Sequence, residues 1–183
     1  MDKIVIKGQR QLSGKVKISG AKNAVLPIMT AALMADGKST IHKVPNLRDT
    51  RTMIQLMEII GAKCSFKNDR LVINASTVNN PEAPYELVKT MRASFYVLGP
   101  LLARFGKVRV SLPGGCAWGP RPVDFHLKAL EKLGAKVTLR KGYILAEANK
   151  LKGANISFEF PSVGATGNIV MAAATADGRT VIE

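Results

Sequence analysis

Residues 111–122 read SLPGGCAWGPRP, a thiol and a guanidinium set in a segment where six of twelve residues are Gly or Pro. So many chain-turning residues predict a surface loop with few packing partners, a poor place for a cysteine kept only as a small apolar group. Burial fits Cys116 poorly, so reactivity is the serious alternative for this thiol. The neighbouring Trp118 either shields that site or packs on its own loop. Cys64, in KCSF, lies opposite Val137 in an internal repeat described below and reads as a core thiol in a strand.

Cationic and donor-rich residues recur in three other places. SGAKN (19–23), KTMRAS (89–94) and PSVGAT (161–166) each precede an apolar, Ala-rich run, at 24–35, 93–105 and 165–176. A helix begins with unpaired N–H groups and about half a positive charge, so each start is an anion site when a cation or hydroxyl joins it. Lys22, Asn23, Arg92, Ser162 and Gly164 stand at these starts. Arg48 and Arg121, 73 residues apart, each stand ahead of a second helix, and together these residues predict a convergent phosphate site. Plainer readings accompany them: a lysine or arginine at a helix start can be solvated surface, Ser162 can cap its own helix, and Asp124 can cap the helix after it. His42 and His126 have no partner at metal-ligand spacing, so they read as surface or capping residues and no metal is expected.

The elements that must position these groups repeat. ALMADGKSTI (32–41), LLARFGKVRV (101–110) and AATADGRTVI (173–182) align on Gly37, Gly106 and Gly178, which are 69 and 72 residues apart. In a second register Gly61 and Gly134, 73 apart, align IIGAKCSFKNDRLVINA with KLGAKVTLRKGYILAEA. Each unit reads as a buried helix stopped by glycine, a strand, an amphipathic helix and a hairpin, that is βαβαββ. Met53, Leu56, Met57 and Ile60 mark the inner face of the second helix in unit one; Leu127, Leu130 and Leu133 mark it in unit two. Units fall at about 20–88, 89–160 and 161–183, the third incomplete, and 4–6 and 15–18 read as short strands outside the repeat.

With 46% hydrophobic and 22% charged residues the composition is that of a globular protein, and the N-terminus lacks a signal-like apolar stretch, which predicts a cytoplasmic chain. No apolar run approaches the ~20 residues of a membrane span. A net charge of +14 calls for an anionic partner. A basic nucleotide- or nucleic-acid-binding module is one reading. Aromatics at 5%, not interleaved with the cations, and the absence of helix-turn-helix or zinc-finger patterns count against nucleic acid.

GAKNAVLP (20–27), KTMRAS (89–94), LPGGCAWGPRPVD (112–124) and SVGAT (162–166) resemble the UDP-N-acetylglucosamine 1-carboxyvinyltransferases, a family of enolpyruvyl transferases, along the whole chain. The resemblance implies an α/β fold, an inside-out domain of βαβαββ repeats with pseudo-threefold symmetry facing a second such domain. It also implies transfer of the enolpyruvyl group of phosphoenolpyruvate to the 3′-hydroxyl of UDP-N-acetylglucosamine, the first committed step of peptidoglycan synthesis, by a cytoplasmic monomer without a cofactor. By the same matching, Cys116 is the thiol that donates a proton and reacts with fosfomycin. Lys22, Arg121 and Arg92 hold phosphates, and Asn23 touches the sugar. Arg121, Pro122, Val123, Asp124 and Phe125 form the uracil cradle, and Ser162, Val163 and Gly164 contact the diphosphate. Two departures stand out. Phe160 and Pro161 replace a lysine-bearing stretch of some members, and the general base and further arginines of the family belong to a second domain beyond Glu183, into which 1–19 would pack. A chain with half of that site is expected to be inactive alone.

Overall fold

A computed structural model describes residues 3–9, 11–113 and 123–183. In chain order the elements are helix α1 (Lys22–Ala31), a 3-10 turn (Ala32–Met34), strand β1 (Lys38–Ile41), α2 (Arg48–Ile60), β2 (Lys63–Lys67), β3 (Arg70–Asn74), β4 (Glu82–Ala83) and α3 (Tyr85–Val88). A 3-10 segment (Arg92–Val97) then runs into α4 (Leu98–Phe105), followed by β5 (Lys107–Ser111), α5 (Asp124–Lys132), β6 (Lys136–Arg140), β7 (Tyr143–Glu147), β8 (Asn155–Ile156), α6 (Val163–Ala173) and β9 (Val181–Ile182).

Residues 82–147 run βαβαββ in full, with strand order β4-β5-β7-β6: β4 joins β5 in parallel, and the β6–β7 hairpin joins antiparallel. The stretch from α1 to β3 repeats this with order β1-β3-β2, and β8 pairs with β9 in parallel on either side of α6. Both hairpin turns have consecutive positive φ angles, Asn68 and Asp69 in one and Lys141 and Gly142 in the other, the geometry that matches strand twist in two-residue turns.

The helices preceded by the three donor-rich motifs form the middle. Met29 and Leu33 in the first, Leu98, Leu101 and Leu102 in the second and Ile169 and Ala172 in the third are all essentially inaccessible, while β1, β2 and β7 show alternating exposure on the outside. This α/β arrangement, helices in and sheets out, explains why those runs carry no polar face. At the contact between α4 and α6 a Cβ on Gly99 would stand 2.3 Å from the Asn168 carbonyl oxygen, so only glycine allows the approach. Met53, Leu56, Met57, Ile60, Leu130 and Leu133 are buried as their helical spacing predicts, and Leu127 is half-buried. Cys64 is half-buried in β2 against the core, where burial first and Glu58 second push its thiol up to about 12.

Two local expectations are corrected. Residues 4–6 and 15–18 form no strand: the chain there has no ladder partner among the described residues, and Ile4, Val5, Ile6, Leu12, Val16 and Ile18 are 79–94% exposed. A strand exists only where a neighbour completes its hydrogen bonds. The stop signal also differs between helices. Gly61 and Gly106 are left-handed caps as expected, but α1 and α6 end before Gly37 and Gly178 are reached. For the first of these, Arg104 supplies what glycine would have: its guanidinium donates to the carbonyls of Leu33 at 2.7 Å and Ala35 at 3.2 Å, and also to Ala75 at 2.9 Å.

Candidate active site

Each buried helix presents its start to the same cavity of about 460 Å³. Ala21 begins α1 without a side-chain cap, and the first amide to find a partner, that of Ala24, donates to Ala21, so among the described hydrogen bonds the N–H groups of Lys22 and Asn23 have no acceptor. The second start runs from Met91, with Arg92 and Ala93 in the first turn and Ser94 N–H bonded back to Met91. At the third, the Ser162 hydroxyl accepts from Ala165 N–H at 3.3 Å, and Val163 and Gly164 N–H have no acceptor among the described hydrogen bonds. The capping and anion-binding readings of Ser162 are thus compatible.

The cavity is lined by Asn23, Leu26, Arg92, Ala93, Phe95, Tyr96, Val123, His126, Ser162, Val163 and Gly164, with three prolines. Among the described residues, three positive helix starts and the Arg92 guanidinium converge there and no carboxylate lines the cavity, which suits a dianionic or diphosphate ligand. Of the residues expected at the site, the fold gathers Asn23, Arg92, Val123, Ser162, Val163 and Gly164.

It does not gather the rest. Lys22 pairs with Asp49 at 2.9 Å, tying α1 to α2, and does not line the cavity. Asp124 is the first residue of α5, its carboxylate 3.8 Å from Lys128; the preceding residue, Val123, is the cap position and makes no side-chain bond. Phe125 turns away to Phe158, ring centroids 5.9 Å apart. Arg48 lines a different groove, of about 570 Å³, with Asn46, Arg51 and Gln55, and so stands away from this cavity. Cys116, Arg121 and Pro122, and Trp118 beside them, lie outside the described residues.

His126 is the largest departure from expectation. It is 5% exposed rather than superficial, edge-on to Phe95 at 4.9 Å, with one ring edge on the cavity. Burial first and Arg92 second lower its pKa to about 4, against a small opposing effect of Asp124. Asn168, inaccessible on α6, bonds to its Nδ1 at 3.1 Å. Tyr96 also lines the cavity, its hydroxyl 3.4 Å from the Val163 carbonyl to which it donates, and burial raises its pKa. The signal that could have exposed this group is Asn168 itself, an amide inside the apolar run GNIVMAA, which must find partners once buried. Among the described residues no cluster of His, Cys, Asp and Glu is placed to hold a metal ion.

The EPSP synthase (3-phosphoshikimate 1-carboxyvinyltransferase) family profile matches residues 6–183. The chain belongs to this family. Within it, the chain is 58% identical to the UDP-N-acetylglucosamine 1-carboxyvinyltransferase of Chlorobaculum parvum, over all of this chain and 44% of that protein. It is 52% identical to UDP-N-acetylglucosamine 1-carboxyvinyltransferase 2 of Carboxydothermus hydrogenoformans, again over its whole length and 44% of the relative. The chain therefore spans less than half the length of these relatives. Its fold is similar to that of the enolpyruvyl transferase NikO from Streptomyces tendae, with a TM-score of 0.81 at 22% identity over 96% of this chain and 42% of the other. A solved structure of EPSP synthase from Acinetobacter baumannii aligns with a TM-score of 0.72 at 20% identity, covering 92% of this chain and 40% of the other. These likenesses establish the α/β enolpyruvyl transferase fold for this family member.

Proposed function

We propose that the protein is a UDP-N-acetylglucosamine 1-carboxyvinyltransferase and that this chain supplies its sugar-nucleotide side. The observation that carries the reading is the meeting of three helix starts and Arg92 at one cavity, a site for the phosphates of a nucleotide sugar. The named relatives support the choice of substrate. In this reading Ser162, Val163 and Gly164 hold the diphosphate, Asn23 the sugar, and Val123 the uracil together with Arg121, Pro122, Asp124 and Phe125. Lys22, Arg92 and Arg121 serve the phosphates. Asp49 would have to release Lys22 for that purpose.

The reaction is an addition and elimination. A base takes the proton of the sugar 3′-hydroxyl as its oxygen bonds to C2 of phosphoenolpyruvate, while C3 takes a proton from Cys116. The tetrahedral intermediate then breaks its C2–O bond to phosphate, which leaves as inorganic phosphate, and returns one C3 proton to the thiolate, which restores the double bond. Cations beside the departing phosphate stabilise the charge that develops there, and the acid and base must be set on either side. The base is assigned to a second domain. The six exposed apolar side chains between Ile4 and Ile18 fit that assignment, since they are what a facing surface would cover. Residues 1–19 then belong with the second domain and 20–183 form the repeat domain. A cytoplasmic monomer feeding peptidoglycan synthesis and sensitive to fosfomycin at Cys116 completes the reading.

The test is phosphate release from phosphoenolpyruvate by the intact protein, dependent on UDP-N-acetylglucosamine and lost in Cys116→Ala. Transfer to shikimate 3-phosphate instead, or tight sequence-selective binding of nucleic acid at physiological salt, would overturn it.

A further inference from the structure

Asn168 stands where three of the site's elements meet, and its two amide atoms have opposite obligations. Its Oδ1 accepts from the Gly99 N–H at 2.6 Å, at the start of α4. Its Nδ2 donates to the Phe95 carbonyl at 3.0 Å, in the 3-10 segment before it. One partner is a backbone donor and the other a backbone acceptor, so the amide cannot be flipped without breaking both bonds. The second hydrogen of the same Nδ2 points along the 3.1 Å contact to His126 Nδ1. That nitrogen must therefore accept, which leaves the imidazole proton on Nε2. Nε2 is the edge turned to Gly164: a Cβ built on that glycine would stand 3.5 Å from it, and both residues line the cavity.

We propose that Asn168 is a positioning residue which fixes His126 as the Nε2–H tautomer, so that the ring presents a neutral donor beside the Gly164 N–H to the diphosphate oxygens of the bound ligand. The proposal rests on the function proposed above for the ligand's identity, but not for the tautomer. The charged groups acting on the ring are Arg92 on the 3-10 segment and Asp124 on α5; Phe95 faces it with a ring edge. A second cation beside Arg92 would be costly in this buried setting, whereas a neutral donor adds a hydrogen bond without that cost. The depressed basicity of His126 agrees with this arrangement. Because Asn168 also grips Gly99 and Phe95, the donor's position is tied to the second helix start, which carries Arg92.

The test uses the intact protein with 15N-labelled histidine, the His126 signals being assigned by their loss in His126→Gln. The expected pattern is a protonated Nε2 and a bare Nδ1 at pH 7, unchanged down to about pH 5, with the Nε2–H resonance moved by UDP-N-acetylglucosamine and by inorganic pyrophosphate. Asn168→Leu should release the tautomer, so that Nδ1–H and Nε2–H forms both appear, while burial and Arg92 keep the ring's titration low. For affinity, His126→Leu should weaken UDP-N-acetylglucosamine binding about tenfold, as expected for one lost hydrogen bond to a charged group. His126→Gln, whose amide nitrogen reaches the Nε2 position, should recover most of it, which a packing role would not do. An Nδ1–H tautomer, ordinary titration near 6.5 in the unmodified protein, or an Nε2–H signal indifferent to bound UDP-N-acetylglucosamine would overturn the proposal. A response to pyrophosphate without any binding of the sugar nucleotide would uphold the donor and overturn the assigned substrate.

Discussion

A histidine that takes up its proton near pH 4 in the folded chain and near 6.5 when unfolded makes acid an unfolding agent. Between those values the unfolded state binds more protons, so stability is complete above about 6.5 and declines as pH falls toward 4. For a ring this deeply buried the decline amounts to roughly 3 kcal/mol. Urea unfolding at pH 7, 6, 5 and 4.5 should show that loss, and it should be missing from His126→Gln, which retains the shared carboxylate contribution. Equal pH slopes in the two proteins would mean that the imidazole is not buried neutral. Neither this residue nor its partner could be recognised from local pattern. His126 and Asn168 are 42 residues apart, and their meeting depends on how α5 packs against α6. The donor-rich motifs at 19–23, 89–94 and 161–166 were legible because a helix start announces itself within a few residues. Lys22 shows the boundary of that logic: its position was evident, but its partner Asp49 comes from another helix.

At the level of elements, the repeats are joined by contacts that no single repeat contains. Arg104, near the end of α4, closes the carbonyl end of the first buried helix and also reaches Ala75 just beyond β3, with a weaker approach to Asp36 at 3.6 Å. Three backbone acceptors would lose their donor in Arg104→Ala, and its side chain is only 18% exposed, so water replaces it incompletely. A loss of about 2–3 kcal/mol is expected, with Arg104→Lys recovering only part of it, because all three carbonyls converge on the one nitrogen Nη1, at the far end of a side chain longer than lysine's. Thermal or denaturant unfolding would check this, and a lysine variant as stable as the parent would show that charge, not geometry, is what the position requires. The amphipathic helices and hairpins were readable because spacing and turn residues specify them locally. The ends of the first and third buried helices were not, since a remote guanidinium, or simply a turn, does the work that a glycine cap does elsewhere.

Across the whole molecule, the charge of +14 is not spread evenly in effect: one cavity concentrates helix starts and a guanidinium, while the apolar side chains of residues 4–18 face outward. The composition announced an anionic partner, and only the packing of three buried helices indicates where it would sit. Where α4 meets α6, the Gly99 amide is a buried donor held by the Asn168 side chain rather than by a helical carbonyl. Both ends of that bond are buried between α4 and α6, so water reaches the proton when the second and third repeats part there. In heavy water that single amide would therefore act as a clock for the separation of two repeats, ticking at the rate of their opening.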